Sequence, residues 1–523
     1  MKFNTNTTTT AVQNYEGAKV FVMNPAMELY TAIVTWSLGD SFYEKNNKRM
    51  ARVQELVAQN DPLFVAKLAV YARHKMYMRS APLVLVTELA KLHPGGDIVA
   101  RVTDRIIARA DEITELLACY EILNGRTGPK KLNRLSKQIQ KGLGAAFNRF
   151  DEYQFAKYNR PGAIKLRDAL FLVHPKAKDD ARQALFDKIA NNTLQTPYTW
   201  ETELSALGQV EYVNDEERAI AFRNKWEELI DSGKLGYMAL LRNLRNVVEA
   251  GVSYAHIKKI GAILAAPEQV AKAKQFPFRY LAAYRELLQM DQPAADGVVG
   301  KVTRFFTSSK GYTGELLDVL EQAVQCSAAN IAGFDHDTKV LLACDVSGSM
   351  TGTISAKSKI RLYDIGLILA MLLKSRCGYV EVGIFGDTWK TITVPRSNIL
   401  GSVQQLYNRA NEVGYATNAY LVLADLLANH VVMDKVMIFT DCQVWNSNAT
   451  GESLPSLWDR YKRTVAPNAK LYIFDLAGHG YAPLTLLQRD VHLLAGWSDK
   501  IFDVLAALDK GADALAEINS LEL

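Results

Sequence analysis

The chain has 523 residues, a formal net charge of +5 and 5 cysteines. Its ordinary apolar and charged fractions exclude a fibrous or low-complexity chain, and at about 150 residues per domain its length implies roughly three units, or a long repeat array plus a domain. No apolar run approaches the roughly 20 residues of a membrane span, the opening MKFNTNTTTTAVQNYEG lacks the apolar centre of a secretory signal, and scattered, odd-numbered cysteines argue against a disulfide framework.

The expectation is therefore a cytoplasmic protein with no membrane partner. Its modest positive charge permits nucleic acid as a ligand without demanding it. Residues 1–18 read as a disordered polar arm. From 19 to 335 the chain reads as helix after helix. DPLFVAKLAVYARHKMY, PLVLVTELAKLHP, DIVARVTDRIIARA and EITELLACYEILNG carry helical periods, separated by breaks rich in Asp, Asn, Pro and Gly. Stacked helical hairpins of the HEAT or armadillo kind fit this pattern, with an irregular bundle as the rival. Sequence repetition is confined to two helices ending in His-Pro, at His93 and His174.

Within the helical part, cations concentrate between Arg126 and Arg167. Lys130, Arg134, Lys137 and Lys141 fall three and four apart and so share a helix face, with Lys131 beside them. Such a stripe is either a footprint for phosphates or an ordinary solvated face. Phe147, Phe150, Tyr153, Phe155 and Tyr158 interleave with it. Their helical spacing favours core packing over base stacking. Arg242 and Arg245, in LLRNLRN, share a second face, where snorkelling over the core competes with a nucleic-acid contact.

After about residue 336 the rhythm changes. Short apolar runs (TKVLLACDVS, GYVEVGIFGD, DKVMIFTDCQVW, AKLYIFDLAGHG, VHLLAGWS) alternate with amphipathic helices, which implies an α/β, doubly wound, mostly parallel sheet over 336–523. Ligands of such sheets bind outside the carboxyl ends of the strands. There the sequence places Asp345, Ser347 and Ser349 in DVSGSM, Thr417 in GYATNAY and Asp441 in IFTD. Two carboxylates and three hydroxyls suit a hard divalent cation such as Mg²⁺. Asp and Ser also cap helices and close turns, so D-x-S-x-S alone is weak. A nucleophile elbow is excluded because Asp345 and Ser349 stand where its glycines belong, and the phosphate-loop pattern is absent.

DVSGSM, GYATNAY and IFTD resemble the metal-ion-dependent adhesion site of von Willebrand factor A domains. That resemblance implies Mg²⁺ or another divalent cation held by Asp345, Ser347, Ser349, Thr417 and Asp441, with an incoming acidic group as last ligand. With the helices before it, the chain resembles the Ro autoantigen family of TROVE-module proteins, and bacterial members more than animal ones. The resemblance rests on AIVTWSLGDSFYE, the basic segment LLACYEILNGRTGPKKLNRLSKQ, AIKLRDALFLVHPKAK, MALLRNLRNVVEAGVS and KQFPFRYLAAYR. It implies HEAT-like helices closed into a ring by the A domain. It implies a non-enzyme acting in RNA quality control, with Y-like small RNAs on the outer surface and single-stranded 3′ ends of misfolded RNAs in the central hole. A 3′ exoribonuclease tethered through RNA is a further implied partner. Lys137, Lys141, Arg167 and His174 carry over to the outer surface and Arg242 and Arg245 to the border of the hole, although Pro175 directly after His174 departs slightly from the animal pattern. Two rivals remain: an A-domain interaction module for acidic partners, with the helices as scaffold, and, more weakly, a metal-dependent nuclease.

Overall fold

The computed structural model describes residues 11–13, 19–22, 24–34, 47–124, 135–159, 162–273, 275, 277–290, 310–328, 334, 336–353, 360–394, 397–442, 452–476, 481–482, 490–495 and 514–523. Between residues 24 and 328 every described regular element is a helix. DPLFVAKLAVYARH becomes the helix Pro62–His74, started by Asp61, whose carboxylate accepts a hydrogen bond from the Phe64 amide at 3.0 Å, with proline in the first turn. The helices stack in two layers. Pro62–His74, Ile98–Ile106, Lys137–Phe147 and Leu166–Val173 follow one another, while Ser80–Leu92 packs on Asp111–Leu123 behind them. This succession is the helical-repeat architecture expected.

Gln138 shows how the layers are joined. Its buried amide donates to the carbonyls of His93, Pro94 and Gly95, at 3.3, 3.0 and 2.6 Å, and so ties the turn after Ser80–Leu92 to the next repeat. The two His-Pro helix ends are not equivalent. His93 caps with φ −126°, whereas His174 takes the left-handed conformation with φ 48°. The aromatic run divides: its phenylalanines pack in the core, whereas Tyr153 is exposed and Tyr158 half-buried. Phe147, Phe150 and Phe155 are buried, with ring centroids 5.7–5.9 Å apart in successive pairs, and Phe186 joins them.

Two short strands lie near the start, Ala11–Gln13 (β1) and Lys19–Val22 (β2), paired antiparallel. The first falls within the stretch read as a polar arm. The sheet of the second half is built from Lys339–Asp345 (β3), Tyr379–Phe385 (β4), Trp389–Ile392 (β5), Lys435–Thr440 (β6), Lys470–Asp475 (β7) and, after the two-residue Tyr481–Ala482 (β8), Val491–Ala495 (β9). Its order is β5-β4-β3-β6-β7-β9. All neighbours are parallel except β5, which runs antiparallel on β4. The chain leaves β3 towards β4 on one side and returns to β6 on the other. The crevice between the carboxyl ends of β3 and β6 is thus the topological switch point, where α/β sheets bind ligands.

The chain divides into two compact units: residues Met1–Phe21 with Tyr198–Ala506, and Val22–Pro197 with Ala507–Leu523. The expected boundary at 335/336 is not where they part. The helices Pro277–Met290 and Lys310–Ala328 bury faces against Leu362–Arg376 and Ile399–Asn408 of the sheet domain, so contacts cross it. No helix among the described residues is long and apolar enough to cross a membrane.

Candidate functional sites

Asp345 ends β3 and is fully buried, and Asp441 follows β6 directly, also buried. The Ser347 amide donates to Asp345 Oδ1 at 2.9 Å. Thr440 Oγ1 donates to Asp345 Oδ2 at 2.7 Å and accepts from the Cys442 amide at 3.2 Å. Both carboxylate oxygens of Asp345 are therefore fixed. The hydroxyls of Ser347 and Ser349 lie 3.2 Å apart, Ser347 buried and Ser349 exposed at the mouth. Cys442 takes a left-handed backbone with φ 63°, a local strain that turns the chain sharply just after Asp441.

Thr417 reaches the same place through loop packing. The Gly348 amide donates to the Tyr415 carbonyl at 3.3 Å, and the Asn418 amide donates to the Gly386 carbonyl at 3.1 Å. The two loops approach so closely that a Cβ on Gly386 would run into the Gly414 carbonyl. Gly414 itself has φ 77°, a backbone suited to glycine. Thr417 is buried in this junction. The structure thus draws Asp345, Ser347, Ser349 and the loop of Thr417 together at the strand ends, with Asp441 beside them.

The electrostatics suit a cation. Burial, and then the charge of Asp441, push Asp345 up to about 7, against the pull of the Ser347 and Thr440 hydrogen bonds. A cation bound beside Asp345 would relieve the repulsion that the charge of Asp441 exerts on it. Among the described residues no group of three or more His, Cys, Asp or Glu forms a metal cluster. The donor set here is instead mainly hydroxyl, with two carboxylates, and these oxygens fit a hard divalent ion. Thr440 was not singled out from the sequence. Its place in IFTD was visible, but its bond across to β3 depends on the strand register, in which Cys344 lies opposite Phe439.

A second site forms on the helical repeats. Lys137, Gln140, Lys141, Asn148, His174 and Lys176 line a groove of about 480 Å³ between Lys137–Phe147 and the turn after Leu166–Val173. No carboxylate lines it. Lys137, Lys141, His174 and Lys176 are exposed. The left-handed cap at His174, followed by Pro175, turns the chain so that Lys176 returns to the groove. Asn148 secures that turn. Its amide donates to the carbonyls of Gly144 and Lys176, at 3.0 and 2.9 Å, and its oxygen accepts from the Lys178 amide at 3.1 Å. Lys176 is a member that spacing along one helix could not show, whereas Asn148 continues the Lys137–Lys141 face and carries no charge to mark it.

Other expected cations fare differently. Lys130, Lys131 and Arg134 lie outside the described residues. Arg149 of the basic stripe is consumed locally, donating to the Asp104 carboxylate and to the carbonyls of Asp104 and Ile107. Arg167 is exposed, its guanidinium 5.6 Å from the ring centroid of Phe171. Arg242 is exposed, whereas Arg245 is engaged by Glu249 at 2.8 Å and Glu286 at 3.4 Å. Helical spacing put Glu249 one turn from Arg245, and the ion pair follows from that.

A stack of helix pairs followed by a parallel-sheet domain with a D-x-S-x-S cradle defines a helical-repeat protein carrying a von Willebrand A-type domain. The TROVE domain family matches residues 35–201 and 191–296, and the Ro60 vWA domain family matches 339–505. The chain belongs to the Ro family of TROVE-domain proteins, and this membership supports the RNA-binding class expected from the sequence. It is 25% identical over 313 residues to Telomerase protein component 1 of Rattus norvegicus, covering 45% of this chain and 11% of that protein. With Telomerase protein component 1 of Mus musculus it is 34% identical over 134 residues, covering 26% of this chain and 4% of that one. The chain thus spans about a tenth or less of the length of these relatives. The crystal structure of the Deinococcus radiodurans Ro (RSR) protein shares its fold, with a TM-score of 0.61 at 18% identity over 93% of this chain and 100% of that one.

Proposed function

We propose that the protein is a non-catalytic RNA-binding protein of RNA quality control or processing. It holds a Y-like small RNA on the Lys137–Lys141–His174–Lys176 groove, and takes single-stranded 3′ ends of misfolded RNAs in a central hole of the kind the family resemblance implies. The observation that carries this reading is the groove itself: four exposed basic side chains and no carboxylate, in a TROVE-family chain. Cations so placed read phosphate charge and shape rather than base edges. An RNA held there can tether a 3′ exoribonuclease, and the cytoplasm is the compartment that fits. The test is electrophoretic or anisotropy binding of a Y-like RNA to wild type and to Lys137→Ala with Lys141→Ala. Weakened binding by the double variant supports the reading, and unchanged binding sinks it. Incubation of a 3′-tailed RNA with the protein and Mg²⁺ tests the absence of catalysis, because sustained cleavage contradicts it.

The cradle adds a secondary role. Asp345, Ser347, Ser349, Thr417 and Asp441 would hold Mg²⁺, which when bound offers a coordination position to an acidic group of a partner. The residues' own part is to fix the oxygens: Thr440 and the Ser347 amide orient Asp345, and the Gly386–Gly414 contact seats the Thr417 loop. Titration calorimetry with Mg²⁺ on wild type and Asp345→Ala tests this, and equal affinities would refute it.

A further inference from the structure

We propose that Phe171 is a stacking platform for an unpaired nucleobase whose neighbouring phosphates lie in the Lys137–His174 groove. The proposal rests on the RNA-binding reading above and names a part of the ligand. The helix Leu166–Val173 already buries Leu166, Ala169, Leu170 and Val173. Phe171 lies off that face and is 51% exposed. Unlike Phe147, Phe150 and Phe155, it has no ring partner among the described residues.

Its position gives this exposure meaning. Arg167 and Phe171 are four residues apart and so form a stripe along the helix, which the left-handed cap His174 follows three residues on. His174 lines the groove, where Lys137, Lys141 and Lys176 gather. The Leu172 carbonyl accepts from Gln140 at 3.0 Å, which locks this helix to the groove's other wall. The Arg167 guanidinium lies 5.6 Å from the Phe171 centroid, within cation–π range, and steadies the ring. A phenyl ring has no donor or acceptor, so it recognises the face of a base and tolerates any base identity. Paired bases hide their faces within the stack. The ligand is therefore an RNA with an unpaired nucleotide, at a bulge, loop or end, beside a phosphate run.

The test uses the full chain and two labelled RNAs of equal length, one fully paired and one with a bulged nucleotide, read by fluorescence anisotropy. Phe171→Ala weakens the bulged RNA roughly 5- to 100-fold and leaves the paired one within about twofold, and Phe171→Trp restores binding. An abasic bulge makes wild type behave as Phe171→Ala does. If Phe171→Ala binds both RNAs as wild type does, or loses both equally, the platform is refuted. The underlying reading is judged separately by Lys137→Ala with Lys141→Ala, which weakens both RNAs if phosphates lie in the groove and neither if they do not. Because Phe171 is half exposed, its variants are expected to fold, and circular dichroism checks that they do.

Discussion

Arg285 holds Asp364 with both arms of its guanidinium, Nη1 to Oδ2 at 2.6 Å and Nη2 to Oδ1 at 2.7 Å. The Asp364 side chain is fully buried and also accepts from the Arg361 amide at 2.8 Å. The pair fastens the helix Pro277–Met290 to Leu362–Arg376, whose first residue donates its amide to the Gly352 carbonyl at 3.0 Å, just beyond the cradle. Arg285→Met leaves an unpaired buried carboxylate and should cost about 3–5 kcal/mol in urea unfolding. Adding Asp364→Leu should recover most of that loss. Arg285→Lys should not substitute, because an ammonium cannot fork onto two oxygens. A single Arg285→Met variant as stable as wild type would show that the pair contributes nothing.

Thr440→Val keeps the shape of the side chain but removes the donor to Asp345. Groups that orient a ligand carboxylate typically change metal affinity by about 10- to 100-fold, and a loss in that range is expected for Mg²⁺ by calorimetry. Unchanged affinity would mean that Asp345 needs no support from β6.

Gly386→Ala places a methyl against the Gly414 carbonyl, so one of the two loops must shift. A loss of about 1–3 kcal/mol in stability is expected, of the size seen for overpacking. The same variant should weaken Mg²⁺ binding, since the displaced loop carries Thr417. A variant with reduced stability but wild-type Mg²⁺ affinity would separate the loop from the cradle.

Asn148→Ala removes three hydrogen bonds, two of which hold the turn after His174. At about 1 kcal/mol each in net terms, a loss of roughly 1–3 kcal/mol in stability is expected. RNA affinity should fall although Asn148 brings no charge. Its salt dependence should keep the wild-type slope, which distinguishes a positioning side chain from a phosphate contact.

Lys137→Ala with Lys141→Ala should act in the opposite way on that slope. Each lost phosphate contact lowers it by about 1, so the plot of log affinity against log salt should flatten by about 2. An unaltered slope would place the phosphates elsewhere.

The alternation of strand and helix after residue 336 and the helical periods before it were legible, because each follows from which face is buried. The cradle was legible for a related reason: its chemistry lies at strand ends, which apolar runs mark clearly. Thr440 escaped because its partner lies on another strand, 95 residues away. Lys176 escaped because the turn that returns it to the groove depends on a left-handed histidine, where glycine is the usual signal, and Asn148 escaped because it is uncharged. Arg149 lies in a stripe that could be a phosphate footprint or a solvated face, and Arg245 on a face open to snorkelling or to nucleic acid; the fold holds both with nearby carbonyls and carboxylates. Charge along a sequence does not reveal which cations the fold has already satisfied.

The helix Ala514–Ser520 belongs to the same compact unit as residues 22–197, where Lys67 donates to the Asn519 carbonyl at 2.5 Å and Ile518 is buried. A ribosome releases the early helices of that unit long before this helix exists. Those helices wait with an apolar patch uncovered while more than 300 residues between them and their last helix are made. Nascent chains arrested before residue 507 should therefore engage holding chaperones at the Pro62–His74 surface, and release them once Ile518 has emerged.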